Sequence, residues 1–424
     1  MIAFAATTDQ NEYLPTGGSR VDAIVTVTAT GAGPRSAGAD GAAVVLVLDG
    51  SGSMQPRKKW TALKKAARAA ISQIRDDVPF GVVIGSEEAQ VIYPRTAGLA
   101  KASNATRAEA IAAVDNERPG GGTAIGRWLL AACDRLAPYE RSIRHVILLT
   151  DGQDQHETPD ELAAAVSACA GVFQCDCRGV GTDWRVDELR SIASALLGTV
   201  DIVAEPDDMP ADFEAMMRRA MGKQTADVRL RVWTPRGATV TFVKQVSPAV
   251  DDLTTKGVAV DDRTSDFPTG AWGDEVREYH VSVAVPPQQV GDEMAAGRVS
   301  LIVDGQAVSQ SLIKAIWTDD HAASTRLNQR VAHYTGQVEL AEAIADGLDA
   351  RSKGDVATAA DRLGRAAQLA DASGNSETLR LIKGVVDVVD APTGTVRLRP
   401  KVSAEDEMTL DARSTRTIRL ERDS

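Results

Sequence analysis

Val44-Val45-Leu46-Val47-Leu48-Asp49-Gly50-Ser51-Gly52-Ser53-Met54 runs from a continuous apolar stretch straight into a Gly-rich turn. The apolar run has the length and β-branched character of a strand buried on both faces. The turn alternates one carboxylate with two hydroxyls, so Asp49, Ser51 and Ser53 can aim three oxygens at one small hard cation. Two further segments extend this set. Gly120-Gly121-Gly122-Thr123 brings another hydroxyl, and Val146-Ile147-Leu148-Leu149-Thr150-Asp151-Gly152 ends a second apolar run on a second carboxylate. A plainer reading has the aspartates capping helices and the serines closing turns. It leaves Thr123, placed after three glycines, without a reason.

Asp49, Ser51, Ser53, Thr123 and Asp151, in this order and each at the edge of an element of the right type, resemble the metal-ion-dependent adhesion site of the von Willebrand factor type A (VWA) family. The resemblance implies an octahedral oxygen shell suited to Mg²⁺ or Mn²⁺. In it the hydroxyls coordinate directly, and one or both carboxylates act partly through water. It also implies an open position for a partner protein's Asp, Glu or C-terminal carboxylate.

Around the motifs, residues 42 to about 222 alternate strands and helices. Trp60, Leu63, Ala67, Ile71 and Ile74 lie at helical spacing over 57–75, while Lys58, Lys59, Lys64, Lys65 and Arg68 read as a solvated face. Short strands are expected at 81–85 and 90–93, helices at 104–115 and 125–136, and a strand at 144–150. Helix 158–169, strand 171–178, helix 185–196, strand 199–203 and helix 209–222 complete the series. Apolar strands separated by helices predict an α/β fold with a doubly wound, mostly parallel, Rossmann-like sheet. Ligands of such sheets bind beyond the carboxyl ends of the strands, where the three motif loops fall.

From 226 to 318 the pattern changes to period two, as in Val228-Arg229-Leu230-Arg231-Val232, which predicts an antiparallel β-sandwich. Val21–Thr28 shares that alternation, so residues 1–36 are expected to pair with the later sheet, and the VWA segment, 40–224, to be inserted in or followed by a sandwich at 225–320. Residues 321–390 read as a helical hairpin packed on the sandwich, broken at Gly354-Asp355, and 391–424 as an extended, mixed-charge tail.

The 424 residues carry a formal charge of −12, which argues against nucleic acid or an anionic membrane as partner. No run approaches the length of a membrane span and the start has no signal-peptide pattern, so a cytoplasmic protein is expected. Four cysteines are too few for a disulfide framework, and Cys175-x-Cys177 reads as core packing. The whole layout is similar to stand-alone bacterial VWA proteins, actinobacterial ones above all, some of which accompany signalling or stress-response systems.

The favoured function is a Mg²⁺-dependent protein-binding scaffold, not an enzyme. Two alternatives stand beside it. A metal-dependent hydrolase needs a base, and His156, in a polar loop, reads as uninvolved; a chelatase-like assembly needs an ATP-binding loop from another chain, since Gly50–Ser53 lacks the Gly-Lys-Ser/Thr ending. An extracellular adhesion protein is the other.

Overall fold

The structure, a computed structural model, describes residues 2–31 and 41–420. The expected segment boundaries at 36 and 40 and the end of the tail at 424 lie outside the described residues. The chain forms two compact units. One comprises residues 1–31 and 227–424, the other 32–226.

The first unit begins with β1 (Ala3–Gln10), β2 (Tyr13–Pro15) and β3 (Arg20–Thr30). The chain then enters the second unit through β4 (Ala42–Asp49), whose eight residues are all buried. There follow α1 (Arg57–Ser72), β5 (Pro79–Gly85), β6 (Ala89–Tyr93), β7 (Ala100–Lys101), α2 (Asn104–Asn116), α3 (Ile125–Leu136) and β8 (Ile143–Thr150). Next come α4 (Pro159–Cys169), β9 (Gln174–Val180), α5 (Val186–Ala195), β10 (Val200–Val203) and α6 (Met209–Gly222). The strands make one sheet in the order β10-β9-β8-β4-β5-β6, with β7 also on β5. β10, β9, β8, β4 and β5 run parallel, while β6 and β7 are antiparallel to β5. Leu63, Ala67 and Ile71 of α1 and Phe213 and Met217 of α6 share one core with Val44, Leu46 and Leu48. Trp128 of α3 is buried too, its ring filling the space that a Cβ at Gly85 would occupy. β4 is thus apolar throughout because helices cover both faces of a central parallel strand. Cys175 and Cys177 are buried on one face of β9, their sulfurs 3.8 Å apart.

Back in the first unit, β11 (Val228–Trp233), β12 (Thr239–Ser247), β13 (Asp251–Asp252), β14 (Val258–Asp261), β15 (Thr264–Pro268), β16 (Glu275–Ala284), β17 (Glu293–Val303) and β18 (Gln306–Thr318) complete two sheets. Their orders are β1-β3-β16-β12-β13 and β14-β15-β11-β17-β18-β2. β3 lies antiparallel between β1 and β16, with Val25 opposite Tyr279. Val25, Val27, Leu230, Val232, Val281, Trp272 and Trp317 fill the space between the sheets.

After the short α7 (His321–Ser324), α8 (Gln329–Ser352) covers the other face of the five-stranded sheet, where Tyr334 packs with Ile24 and Val246. This is why β3 is buried on both sides instead of alternating. Glu278, fully buried there, accepts from Thr26 Oγ1 (2.9 Å), Arg330 Nη2 and the Tyr334 hydroxyl.

Residues past α8 differ from expectation. The hairpin of α8 and α9 (Val356–Ala372) is joined by α10 (Ser376–Val385), an antiparallel pair β19 (Val386–Asp390) and β20 (Thr395–Leu398), and α11 (Ala404–Arg413). The expected extended tail from 391 is therefore a strand, a helix and a docked end. Ser403 caps α11 through Asp406 N, three acids occupy its first turn, and Leu410 reaches a core with Leu340, Leu363 and Ile382. Beyond it, Val250 N donates to Thr415 O (2.7 Å) and Thr417 Oγ1 to Val246 O (2.7 Å), so a segment with no apolar pattern is held by its backbone and hydroxyls.

Candidate metal centre

Asp49 is the last residue of β4, and Asp151 directly follows β8, the parallel neighbour of β4. That adjacency brings their carboxylates together. Asp49 Oδ1 accepts from Ser51 N (2.8 Å), and Oδ2 accepts from Thr150 Oγ1 (2.6 Å) and Asp151 N (3.2 Å). Asp49 thereby folds its own turn back and ties the two strand ends. Burial pushes its carboxyl up to about 6, against the pull of the bonds from Ser51 and Thr150.

The hydroxyls line up beside this pair. Ser51 Oγ and Ser53 Oγ are 2.8 Å apart, and Ser53 Oγ donates to Asp151 Oδ1 at 2.5 Å. Thr123 arrives from the loop before α3, held by Gly52 N to Gly121 O (2.8 Å) and Gly120 N to Gly50 O (2.7 Å). Gly121 has φ +81°, a conformation that favours glycine. At Gly152 a Cβ would stand 3.3 Å from Thr123 Oγ1 and 3.6 Å from Ser53 Oγ. The missing side chain leaves a small cradle between the hydroxyls of two loops.

All five sequence-predicted residues are thus gathered at the carboxyl ends of β4 and β8 and the loop before α3. Their placement differs in one respect from a set of surface loop groups. Asp49 and Asp151 are 0% exposed, Ser51 1% and Thr123 4%, and only Ser53 among them is exposed. The carboxylates are structural parts of the strand ends as well as candidate ligands.

Five supporting residues escaped the sequence reading. Thr150 holds Asp49; a hydroxyl directly before the second carboxylate was the available sign. Lys59, read as part of a solvated face, is only 19% exposed and donates to Asp151 Oδ2 at 2.7 Å and to Asp183 Oδ2 at 3.3 Å. Partial burial works against its charge, but the bond to Asp151 more than offsets this and raises its pKa. His156, read as uninvolved, accepts from Thr123 N through Nδ1 (3.3 Å), its ring lying on Gly122. Beside it, Asp154 and Glu157 accept from the first amides of α3, Ile125 N (2.8 Å) and Gly126 N (2.6 Å). They fix the start of the helix that directly follows the Thr123 loop.

The donor set is two carboxylates and three hydroxyls, all hard oxygens. Among the described residues no group of three or more His, Cys, Asp or Glu gathers as a metal cluster, so neither a thiolate nor an imidazole site competes with it. The oxygens, the Gly152 cradle and the close hydroxyl spacing fit a hard divalent cation.

A von Willebrand factor type A domain model matches residues 42–202, and a von Willebrand factor type A C-terminal domain model matches 368–414. A solved von Willebrand factor type A protein from Catenulispora acidiphila is 46% identical, with a TM-score of 0.94 over 99% of this chain and 97% of that one. The chain belongs to the von Willebrand factor type A family. The VWA fold extends to the ArnB paralog VWA2 from Sulfolobus acidocaldarius, 13% identical with a TM-score of 0.57 over 98% of both chains. An uncharacterized protein of Synechocystis sp. is 27% identical over 278 residues, or 61% of this VWA chain. The match spans 63% of that relative, under two thirds of its length. VWA domains are a family of metal-dependent protein-interaction modules. Among the described residues, no helix of this one is long and apolar enough to cross a membrane.

Proposed function

We propose that this VWA protein is a Mg²⁺- or Mn²⁺-dependent scaffold that captures a carboxylate of a partner protein. The gathering of Asp49, Ser51, Ser53, Thr123 and Asp151 at the ends of β4 and β8 carries this reading. A divalent cation held there would supply an electrophilic open position for an anionic oxygen. Ser51, Ser53 and Thr123 serve as neutral ligands, Asp151 as the charged one, and Asp49, whose two oxygens already accept bonds, orients the turn. His156 and the α3 cap hold Thr123 in register.

The role is binding without catalysis. The imidazole nearest the site spends Nδ1 on the backbone amide of Thr123, on the neighbouring loop, which suits a supporting part better than that of a base. Four free thiols, three of them buried, fit a reducing, cytoplasmic setting. The test is capture from a lysate of the native cells by the immobilised chain. Partners retained in Mg²⁺, released by EDTA and lost with Ser51→Ala/Ser53→Ala support the reading. Capture indifferent to EDTA overturns it.

A further inference from the structure

We propose that Lys59 is a built-in counter-cation of the metal site, which competes with the divalent ion for Asp151 and sets the site's affinity, with Asp183 as the alternative acceptor for its ammonium. The inference rests on the metal reading above and goes beyond it to how the site is regulated.

Lys59 lies on the first turn of α1, six residues after Ser53, and the α1 start brings its ammonium to 2.7 Å from Asp151 Oδ2. The other oxygen of Asp151 takes the Ser53 hydroxyl at 2.5 Å. Both carboxylate oxygens are therefore engaged within the chain. A cation that draws on Asp151 must share or displace these partners.

Two roles for the lysine predict opposite outcomes. If it merely held Asp151 in place, removing it would loosen the site and weaken metal binding. But Asp151 is held without it, by the Ser53 hydroxyl and by its own amide on Asp49 Oδ2. What Lys59 adds is a positive charge on the buried carboxylate that a divalent ion would draw on. Against Asp49 and Asp151 it leaves a formal pocket charge of −1 where the carboxylates alone would give −2. Like charges sharing one carboxylate at low local dielectric repel by an amount on the order of tenfold or more in affinity.

Asp183 gives the ammonium somewhere to go. It lies 3.3 Å from the same Nζ, and its side chain is 69% exposed against 0% for Asp151. The lysine thus bridges a buried carboxylate that the ion needs and a surface carboxylate that it does not.

The experiment is Mn²⁺ titration calorimetry on the full chain, with thermal melting as the control for folding. Lys59→Gln and Lys59→Met should each bind Mn²⁺ about tenfold more tightly, while Lys59→Arg, which keeps the charge, stays within about threefold. Should the Met variant fail to fold, the Gln variant, which is polar but uncharged, gives the same reading. Asp183→Asn should weaken Mn²⁺ binding several-fold in the native background and lose most of that effect beside Lys59→Gln. Equal or weaker Mn²⁺ binding by Lys59→Gln overturns the competition. An Asp183→Asn effect of the same size in both backgrounds overturns the role of Asp183. If native chain and variants alike take up no Mn²⁺ at millimolar concentration, the metal reading itself fails and the inference with it.

Discussion

Thr150 Oγ1 donates a 2.6 Å hydrogen bond to Asp49 Oδ2, joining the carboxyl ends of two neighbouring parallel strands. The carboxylate that opens the metal motif is thus also the clasp between β4 and β8. Asp49→Ala would leave the Thr150 hydroxyl and the amides of Ser51 and Asp151 without this acceptor, at a cost of about 1–3 kcal/mol. Ser51→Ala/Ser53→Ala should melt close to the native chain and yet lose Mn²⁺ binding. Melting and calorimetry side by side separate the two effects; an Asp49→Ala protein as stable as the parent would show that the clasp carries no weight.

Thr123 stands across the Gly152 cradle from Ser53, on a loop held by backbone bonds and His156. Thr123→Ala should therefore weaken capture of an EDTA-sensitive partner more than it weakens Mn²⁺ affinity. Equal losses in the two assays refute a role centred on the partner-bound state.

Acid should loosen the sandwich through Asp22. Burial alone would raise this carboxyl, but bonds from His280, Arg20 and Ser282 more than offset it and hold it at about 2, below the ordinary 3.8. A depressed folded pKa means stability that is present above 3.8 and lost as pH falls toward 2. With the side chain a quarter exposed, the contribution is about 1–2 kcal/mol. Asp22→Asn should be less stable than the parent by that amount at neutral pH, with the gap closing in acid. Denaturant unfolding at both pH values checks it, and a gap that persists in acid contradicts it.

Glu278 and Arg330 form a buried pair under α8. Arg330→Met alone leaves a buried carboxylate short of its cation and should cost about 3–5 kcal/mol, whereas Arg330→Met with Glu278→Leu should recover much of that loss. Urea unfolding of the single and double variants decides; additive losses would mean that the two side chains act separately.

Removing residues 1–31 takes away β1, β2 and β3 and leaves the β16 edge bare, so the remainder should aggregate. Residues 41–226, with a complete sheet and its helices, should fold alone. Circular dichroism and size exclusion test both, and a soluble, normally melting deletion argues against the role of β3.

The sheet of the second unit was legible because its signals are local. Runs such as 44–48 and 146–149 are unbroken, and α1 shows its apolar stripe. The metal set was legible because each ligand ends a recognisable element. Lys59 was not, since nothing in a helix's own spacing says which of its lysines meets a carboxylate 92 residues on. β7 and β13 have two residues each, too short for any period. The α11 helix did carry signs, in Ser403-x-x-Asp406 and Leu410, but its mean character is polar and its partners come from α8, α9 and α10. The docked end past it is held by backbone groups and the Thr417 hydroxyl, which no apolar pattern marks.

The long interval between Thr26 and Glu278, 252 residues apart in the chain, has a consequence during synthesis. At roughly 5–20 residues per second, a ribosome needs on the order of ten to fifty seconds to deliver β16 after β3 has emerged. For that time β3 waits without β16 beside it, and Val21, Ile24, Val25 and Val27 without the opposite sheet and α8 that cover them later. The second unit, encoded wholly within the interval, can meanwhile fold on its own. A nascent chain of this kind presents an apolar ribbon, paired only with β1, beside a domain that can already be finished.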